Sequence, residues 1–524
     1  MARRLRKLPE ATQDILKLAA CIGNRFALDT LALVCEEARA KITVDLWNAL
    51  QEGLILPISE AYKFFQGSVN ETIARDVTVG YRFLHDRVQQ AAYSLIPEPQ
   101  KQLTHYKIGK LLLENTPDAE RDKKIFEIAN HLNYGAELIT SEAELTQLIK
   151  LNLESGIKAK KSTAYDAAID YFTQGLNLSQ GDWNERYDLS LSFHSELAEC
   201  HYLIAQFDLA LIDIKLILNR ANCLIDKIKA YELNISIYVA QLLMNEAIDL
   251  GIEVLEMLKI DLEIELPENP IVGNLINLDR MGNIDAYSAM RILMQILAPA
   301  YVTGTNLLYK LTSTMIRLSI ESGNCGISAF GYTVHALLLT GKLGQIELGY
   351  QYGQLALKVL EKLDAKEMKS KVLNGFNAHV LHWKEHIRNS WSPLQESMKS
   401  GLEIGDIQYA CHSATNYCEQ LFLGGNELNL TSETYFKCIE LAKSFKQEHS
   451  RAEQSIWGQL CLNLLGKAEN TLELKGDLLN EREMLPIWKD SQNTALLFMF
   501  YAAKTMLLYW MGQGRKALVS AELA

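Results

Sequence analysis

The spacing of apolar residues changes along the chain, and the change falls near residue 85. Residues 81–84, YRFL, place Tyr81 and Phe83 on one side, as a short strand does. From residue 86 the apolar positions Val88, Ala92 and Leu95 recur three or four residues apart, which is the spacing of one helix face. The chain before this point therefore predicts short helices with a small sheet, and the chain after it predicts helices only.

The N-terminal segment predicts three helices followed by a hairpin. We expect the helices to start at Pro9, Thr30 and Val44, and the strands to lie at 54–57, 62–65 and 81–84. This is the order of elements in a winged-helix module. Winged helices that bind DNA place a basic helix in the major groove, but the third helix here, VDLWNALQE, contains no Lys or Arg. We therefore expect a packing module rather than a DNA-binding one.

After residue 141 a helical pattern recurs, with small or apolar residues at offsets 0, +4, +7 and +8. Small residues let two helices approach closely, and large ones fill the space between them. The pattern resembles the second helix of a tetratricopeptide repeat (TPR), which has a period of about 34 residues. The predicted fold class is mainly α, a TPR-like α-solenoid preceded by a small winged-helix-like module. The four segments are Ala168, Phe172, Gly175, Leu176; Ala210, Ile214, Ile217, Leu218; Ala247, Gly251, Val254, Leu255; and Gly349, Gly353, Ala356, Leu357.

Prolines and glycines interrupt the helical pattern once, around Pro267 and Pro270. Helical spacing resumes at Ala286. The predicted domains are therefore a winged-helix-like module (1–96), a helical bridge (97–140), TPR-like repeats (141–262), an insertion or break (263–285) and further TPR-like repeats (286–524).

The end of the chain predicts a buried helix over 494–511, a turn at 512–514 and a further helix. The chain stops inside that repeat, whereas a solenoid needs a polar terminal repeat. We therefore expect the polypeptide to be a fragment or truncated product of something longer.

Composition and charge narrow the range of functions. The 524 residues are 48% hydrophobic with a net charge of −12, and nucleic-acid binding needs a basic face, so we expect no nucleic-acid partner. Nine cysteines without a CxxC pair predict buried thiols in a reducing cytoplasm. The longest apolar run, 495–511, is shorter than the roughly 20 residues of a membrane span and carries Lys504. We therefore expect no membrane partner.

Three histidines are the only candidates for a metal site in the sequence. His379, His382 and His386 are spaced three and four apart, as on one helix face, and imidazole suits zinc and related metals. Zinc sites usually draw ligands from more than one element. Packing of the rings beside Trp383 and Trp391 is therefore the interpretation we prefer over metal binding.

Other residue sets give no chemistry. Cys411, His412 and Cys418 span two helical turns and are expected to pack in the core. Each Gly-Lys pair lacks the earlier Gly and the following hydroxyl of a phosphate-binding loop. We recognise no acid–base or nucleophile constellation, and expect this chain alone to hold no cofactor and not to be an enzyme.

Five segments together resemble the middle of large bacterial, especially cyanobacterial, signalling proteins: LKLAACIGNRFALDTLA, LWNALQEGLILP, FLHDRVQQAAYSLIP, IELGYQYGQLALKVLEKL and GLEIGDIQYA. In those proteins a serine/threonine kinase precedes an AAA/STAND-type ATPase, helical repeats, a GAF domain and a histidine kinase. The resemblance implies a non-catalytic regulatory or scaffold segment. Its concave repeat surface would bind a protein partner or small effector and couple that binding to nucleotide-dependent signalling. ATP or ADP and Mg would belong to an upstream nucleotide-binding domain.

The same resemblance assigns a role to His85 and Asp86. In related STAND ATPases a Met-His-Asp motif in the winged-helix module lets its His contact bound ADP. Leu84-His85-Asp86 stands at the matching strand end, with Leu in place of Met. The resemblance implies that His85 senses the nucleotide of the preceding domain. The alternative is a histidine that only caps the following helix.

Two other functions stay open. One is a stand-alone, effector-sensing transcription regulator of the STAND type, which would need DNA binding. The other is an enzyme within the repeats. The third helix without basic residues argues against the first, and the missing catalytic constellation argues against the second.

Overall fold

The computed structural model describes residues 2–58, 79–180, 183–262, 271–304 and 306–524. Helices make up most of the described chain, and they occur as successive packed pairs. The chain divides into two compact units, Met1–Leu233 and Asn234–Ala524. The predicted mainly α fold class with TPR-like helix pairs is confirmed.

Over residues 2–58 and 79–93, the first unit opens with five short helices and a small antiparallel sheet. Strand β3 lies between β1 and β2, with Phe26 opposite Tyr81 and Ile55 opposite Phe83. These aromatic and aliphatic side chains are buried in one core with the surrounding helices. The elements are α1 (Ala2–Leu5), α2 (Glu10–Ile22), β1 (Arg25–Ala27), α3 (Leu28–Cys35), α4 (Arg39–Gln51), β2 (Ile55–Pro57), β3 (Gly80–Phe83) and α5 (Asp86–Tyr93).

The strand predictions for this region have three outcomes. The predicted strands at 54–57 and 81–84 are confirmed as β2 and β3. The predicted strand at 62–65 lies outside the described residues. Strand β1 was not predicted, because three residues are too few to show an alternating pattern.

Helix α4 begins earlier than predicted, at Arg39, because its first turn already buries Ile42. The helix therefore contains Arg39 and Lys41, and the prediction of a third helix without basic residues was wrong. Neighbouring acids offset both charges: Arg39 Nε lies 2.5 Å from Asp29 Oδ1, and Lys41 pairs with Glu37.

Antiparallel helices complete the first unit. The bridge predicted over 97–140 is helical, as are the predicted second helices around Ala168 and Ala210. The helices are α6 (Glu98–Asn115), α7 (Asp118–Tyr134), α8 (Glu142–Lys161), α9 (Tyr165–Ser179), α10 (Tyr187–Leu203), α11 (Phe207–Arg220) and α12 (Leu224–Ala240), which contains the boundary between the units.

The second unit continues as helix pairs to the end of the chain. Short 3₁₀ helices at Val272–Asn277, Leu381–Trp383 and Ile387–Ser390 and a π-helix at Leu338–Lys342 interrupt it. The α-helices are α13 (Met244–Met257), α14 (Ile284–Val302), α15 (Leu307–Ser322), α16 (Gly326–Leu337), α17 (Ile346–Leu363), α18 (Lys366–His379), α19 (Trp391–Ile404), α20 (Ile407–Leu423), α21 (Leu428–Ser444), α22 (Glu448–Leu464), α23 (Glu481–Asp490), α24 (Thr494–Trp510) and α25 (Gly514–Leu523).

Part of the predicted break over 263–285 belongs to this unit. Pro267 and Pro270 lie outside the described residues. The 3₁₀ helix at Val272–Asn277 is held in place, because Asn324 donates to the Leu275 carbonyl at 2.7 Å and Lys362 donates to the Ile276 carbonyl at 2.8 Å.

Small residues at the predicted positions set the distance between helices. A Cβ added to Gly175 of α9 would lie 2.2 Å from the Phe193 ring of α10, and one added to Gly353 of α17 would lie 2.3 Å from the Phe376 ring of α18. Each aromatic ring therefore fills the space that a glycine leaves on the preceding helix. The same device appears in both units.

The terminal helix pair differs from its prediction. Helix α24 buries one face through Leu496, Phe500 and Leu507, but Phe498 and Trp510 are each 52% exposed. The prediction of a buried helix over 494–511 therefore holds for one face only. In the part of the chain that the structure describes, no helix is long and apolar enough to cross a membrane.

Candidate functional site

His85 lies at the junction between β3 and α5. It occupies the position that precedes the first turn of α5, with an extended backbone (φ −147°, ψ 153°), but its side chain makes no capping hydrogen bond. Its ring is exposed. Asp86 begins the helix and accepts a hydrogen bond of 2.6 Å from the Asn24 side-chain amide. The His85 side chain therefore does not cap the helix, although its carbonyl accepts from the Val88 amide at 2.8 Å, and its ring is exposed at the surface of the first unit.

The three candidate metal ligands do not share a helix face. Helix α18 ends at His379. His382 lies in the following 3₁₀ turn, where its ring stacks on Trp383 with centroids 5.7 Å apart, and His386 Nδ1 accepts a hydrogen bond from the Arg388 backbone amide at 3.2 Å. The predicted continuous helix was wrong because the chain turns after His379. Among the described residues, no group of three or more His, Cys, Asp or Glu side chains is placed to hold a metal ion.

Cys411, His412 and Cys418 separate onto two faces of α20. Both cysteines are fully buried in the core, as the packing interpretation predicts. His412 is half-buried on the other side of the helix. It shares that side with Asn416 and Glu419, at offsets of four and seven residues.

This side of α20 faces the first helices of the neighbouring pairs. In the second unit α18 packs on α20 and α20 packs on α22. The Asn416 side-chain amide donates to the Asn374 side-chain oxygen of α18 at 2.9 Å. We call α18, α20 and α22 the first-helix row of the second unit, and α8, α10 and α12 up to Leu233 that of the first unit.

Charges in the row of the first unit compensate one another. Lys160 of α8 lies 2.5 Å from Glu196 and 2.9 Å from Glu199 of α10, and Lys229 of α12 lies 2.8 Å from each of the same two carboxylates. Burial would raise the pKa of Glu199, but the ammonium groups of Lys229 and Lys160 hold that pKa below its usual value. The lysine and glutamate side chains of this row therefore neutralise one another.

Charges in the row of the second unit compensate one another only in part. Glu419 of α20 is half-buried and has no hydrogen-bond or ion-pair partner among the described residues. Glu453 of α22 is 13% exposed and accepts from His449 Nε2 at 3.3 Å, and this hydrogen bond raises the pKa of His449. Burial and the nearby charge of Glu453 raise the pKa of Glu419 to about 8. We call Glu419, Glu453, His449 and Gln454 the α20–α22 seam.

Gln454 adds an unpaired acceptor to the seam. Its side chain is fully buried, and its Nε2 donates to Thr415 Oγ1 of α20 at 2.9 Å. The Thr415 hydroxyl donates to the Cys411 carbonyl at 3.1 Å, so it can only accept from Gln454, which fixes the orientation of the amide. Gln454 Oε1 is left buried without a partner. A buried acceptor in this state costs free energy, on the order of 1–3 kcal/mol, unless a donor reaches it.

Sequence reasoning did not find the seam. The available signal was polar residues at helical spacing inside apolar helices: His412, Asn416 and Glu419 in α20, and His449 and Glu453 in α22. Such spacing marks a face of one helix. It does not indicate which second helix that face meets.

Comparison with known proteins gives one sequence match and a weak structural likeness. No protein-family model matches the chain. The hybrid signal transduction histidine kinase G of Dictyostelium discoideum is 24% identical over 568 aligned positions, which span 92% of this chain and 16% of the relative. The chain thus matches about a sixth of that protein's length.

Among solved structures, a Signal Transduction ATPase with Numerous Domains (STAND) protein with a tetratricopeptide repeat sensor, from Pyrococcus horikoshii, is 12% identical to the chain. The alignment covers 94% of this chain and 65% of that protein, with a TM-score of 0.43. This score is too low to assign a shared arrangement of helices.

Proposed function

We propose that this chain is a non-catalytic regulatory segment of a larger signalling protein, in which helical repeats bind an effector or partner and bias a nucleotide-dependent switch. The observation that supports this most is the sequence match to a hybrid histidine kinase. It extends over 92% of the chain yet takes up 16% of the kinase. A segment of that kind is one part of a signalling protein that has other domains to carry the chemistry.

The first-helix row of the second unit is the proposed binding surface. Repeat proteins bind ligands on surfaces that successive repeats build together. In this row, α20 and α22 carry half-buried polar side chains, among them Glu419, which has no hydrogen-bond or ion-pair partner among the described residues, and α22 also carries the buried Gln454, whose Oε1 is unpaired. Polar groups left in that state on a packed surface favour a ligand that satisfies them.

The N-terminal module is the proposed contact to the nucleotide switch. Its order of elements, from α2 through β1, α3, α4 and β2 to β3, supports a winged-helix-like module. The exposed His85 ring would reach a nucleotide held by a preceding domain, which would supply ATP or ADP and Mg. This chain itself would bind that domain and not the metal.

The experiment compares signalling output of the larger protein with and without its second unit. A version that lacks residues 241–524 keeps α12 intact and should change basal kinase output while it still binds ADP. Unchanged output with intact ADP binding would show that the repeats do not regulate.

A second arm tests His85 in the same assay. His85→Ala should weaken ADP binding and raise basal output, because the contact that stabilises the ADP-bound state is lost. Arg87→Ala is the matched control, since Arg87 is also exposed and lies two positions away. Equal ADP affinity in both variants and the wild type would show that His85 does not contact the bound ADP.

A further inference from the structure

The outer face of the small sheet in the first unit carries two arginines side by side. The aromatic residues of β1 and β3 are buried in the core. Because side chains alternate between the two faces of a strand, Arg25 and Arg82 lie on the opposite face, where both are exposed. The register places Arg25 of β1 directly opposite Arg82 of β3. We call these two residues the cross-strand arginine pair.

The strand register brings the two positive charges as close as an antiparallel sheet allows. The Phe83 amide donates to the Asn24 carbonyl at 2.9 Å, so residues 24 and 83 form a hydrogen-bonded pair. Hydrogen-bonded and non-hydrogen-bonded pairs alternate along an antiparallel ladder, so Arg25 and Arg82 form a non-hydrogen-bonded pair, in which the Cα atoms are about 4.5 Å apart. Like charges directly opposite each other destabilise a sheet.

No described group neutralises the cross-strand arginine pair. Neither guanidinium has a hydrogen bond or an ion pair among the described residues. The carboxylates four positions after each arginine are engaged elsewhere, because Asp29 pairs with Arg39 and Asp86 accepts from the Asn24 side-chain amide at 2.6 Å. On the third strand, Leu56 lies opposite the arginine of β3 and brings no charge. Two adjacent cations are therefore left without an anion on an exposed surface.

We propose that the cross-strand arginine pair binds a phosphate group on the outer face of the sheet. Each guanidinium offers five donors and no acceptor, and its planar fork matches the oxygens of a phosphate. A terminal phosphate carries a charge of about −1.5 to −2 near pH 7 and three acceptor oxygens. One phosphate therefore neutralises both cations, whereas a single carboxylate neutralises one.

The phosphate belongs either to a nucleotide or to a free inorganic phosphate. The nucleotide source rests on the proposed function, in which His85 reaches a nucleotide held by a preceding domain. Arg82 lies three residues before His85, or about 10 Å along the strand, so a ligand the size of a nucleotide can contact both. A nucleic-acid backbone also offers phosphates, but it needs a broad basic face, and the whole chain has a net charge of −12.

The test is calorimetric titration of the 524-residue chain with pyrophosphate and, separately, with ADP, without Mg²⁺ and at fixed ionic strength in chloride. We expect one or both probes to bind. Arg25→Gln and Arg82→Gln should each weaken binding about tenfold or more, because hydrogen bonds to a charged group are lost. Arg220→Gln is the matched control and should bind as the wild type does, since Arg220 is exposed at the end of α11 in the same unit.

A reversal of one charge separates binding from folding. Arg82→Glu replaces the repulsion with an opposite-charge pair across the sheet, so its thermal midpoint in chloride should equal or exceed that of the wild type. Pyrophosphate should raise the midpoint of the wild type, because it binds the folded state, and should leave that of Arg82→Glu unchanged. A midpoint of Arg82→Glu clearly below that of the wild type in chloride would contradict the unpaired state of the two arginines.

The two probes distinguish the two sources of the phosphate. Tighter binding of ADP assigns a nucleotide, and equal or tighter binding of pyrophosphate assigns inorganic phosphate. The proposal is overturned when neither probe binds, when Arg25→Gln and Arg82→Gln bind as tightly as Arg220→Gln, or when a short DNA duplex binds more tightly than both probes. Its failure leaves the truncation assay of the larger protein unaffected, because that assay measures output. Probe binding with unchanged output in that assay would retain the phosphate site and reject the regulatory function.

Discussion

The first-helix rows of the two units have the same architecture but differ in how completely their carboxyl groups are paired with cations. In the first unit, Lys160 and Lys229 stand on either side of Glu196 and Glu199, so each carboxylate contacts two ammonium groups. In the second unit, Glu453 pairs with His449, and Glu419 has no ion-pair partner among the described residues, so burial and the charge of Glu453 raise its pKa to about 8. The comparison teaches that helix packing supplies the surface, and that the placement of a few charges decides whether the pKa of a carboxyl on it is lowered, as for Glu199, or raised, as for Glu419.

Replacement of a helix-packing glycine should lower stability by a similar amount in each unit. The two units would then share their packing and differ in the charges of their first-helix rows. Gly175→Ala and Gly353→Ala each place a Cβ within 2.3 Å of a phenylalanine ring. Overpacking of this kind costs about 1–3 kcal/mol of unfolding free energy, sometimes more. Denaturant titration should give similar losses for both, and Gly514→Ala, with open space around its Cβ, is the control. A loss in only one unit would contradict the shared packing device.

Removal of a cation from the first row should lower the free energy of unfolding. Lys160→Met leaves Glu196 and Glu199 with Lys229 alone, and the Lys160 and Glu196 side chains are only 16% and 15% exposed. We expect a loss of about 1–2 kcal/mol, since a partly buried pair is broken while one cation remains. Lys161→Met is the control, because Lys161 is exposed next to it. Equal stability of the two variants would show that the ion network of the first unit contributes nothing.

Removal of the Glu419 carboxyl group from the second row should change the free energy of unfolding in the opposite direction, and near pH 7 the change should be the smallest of the three. Glu419→Gln removes a half-buried carboxyl that has no partner among the described residues, so we expect unfolding free energy to stay equal or rise by about 0–1 kcal/mol. The control is Glu433→Gln, because Glu433 is exposed on α21. If Glu419→Gln clearly lowers the free energy of unfolding relative to this control, Glu419 already has a stabilising partner.

The pH dependence gives the sign independently. The folded-state pKa of Glu419, about 8, lies above its ordinary value, so the folded state binds more protons between these values. Stability of the wild type should therefore fall, relative to Glu419→Gln, as pH rises from about 5 to about 8, by at most about 1.4 kcal/mol per pH unit. The stabilising contribution of the protonated Glu419 carboxyl is fully present below the ordinary carboxyl pKa and is lost as the pH rises toward 8. Parallel pH profiles of the two proteins would contradict the raised pKa.

Much of the fold follows from local spacing. The predicted second helices appear as α9, α11, α13 and α17, and their first small residues, from Ala168 to Gly349, are all buried. Spacing of this kind identifies the buried face of a single helix and does not depend on which helix packs against it. It failed for the short strand β1 and for the first turn of α4, where too few residues carry the period.

The candidate sites depended on information that spacing does not contain. His379, His382 and His386 have helical spacing in the sequence, but the chain leaves the helix after His379. His85 was placed through resemblance to other proteins, and the structure shows its exposed position without testing the nucleotide contact.

The sequence by itself determined that this protein is built of packed helix pairs, because the period of small and large residues is a property of each helix alone. Only the tertiary structure decided that Glu419 lies close enough to the charge of Glu453 for its pKa to be raised, whereas Glu196 and Glu199 each contact two cations. The interacting partners stand on different helices, thirty or more positions apart. Their proximity follows from how α20 packs on α22 and how α10 packs between its neighbours, and electrostatic interaction depends on that distance rather than on position along the chain.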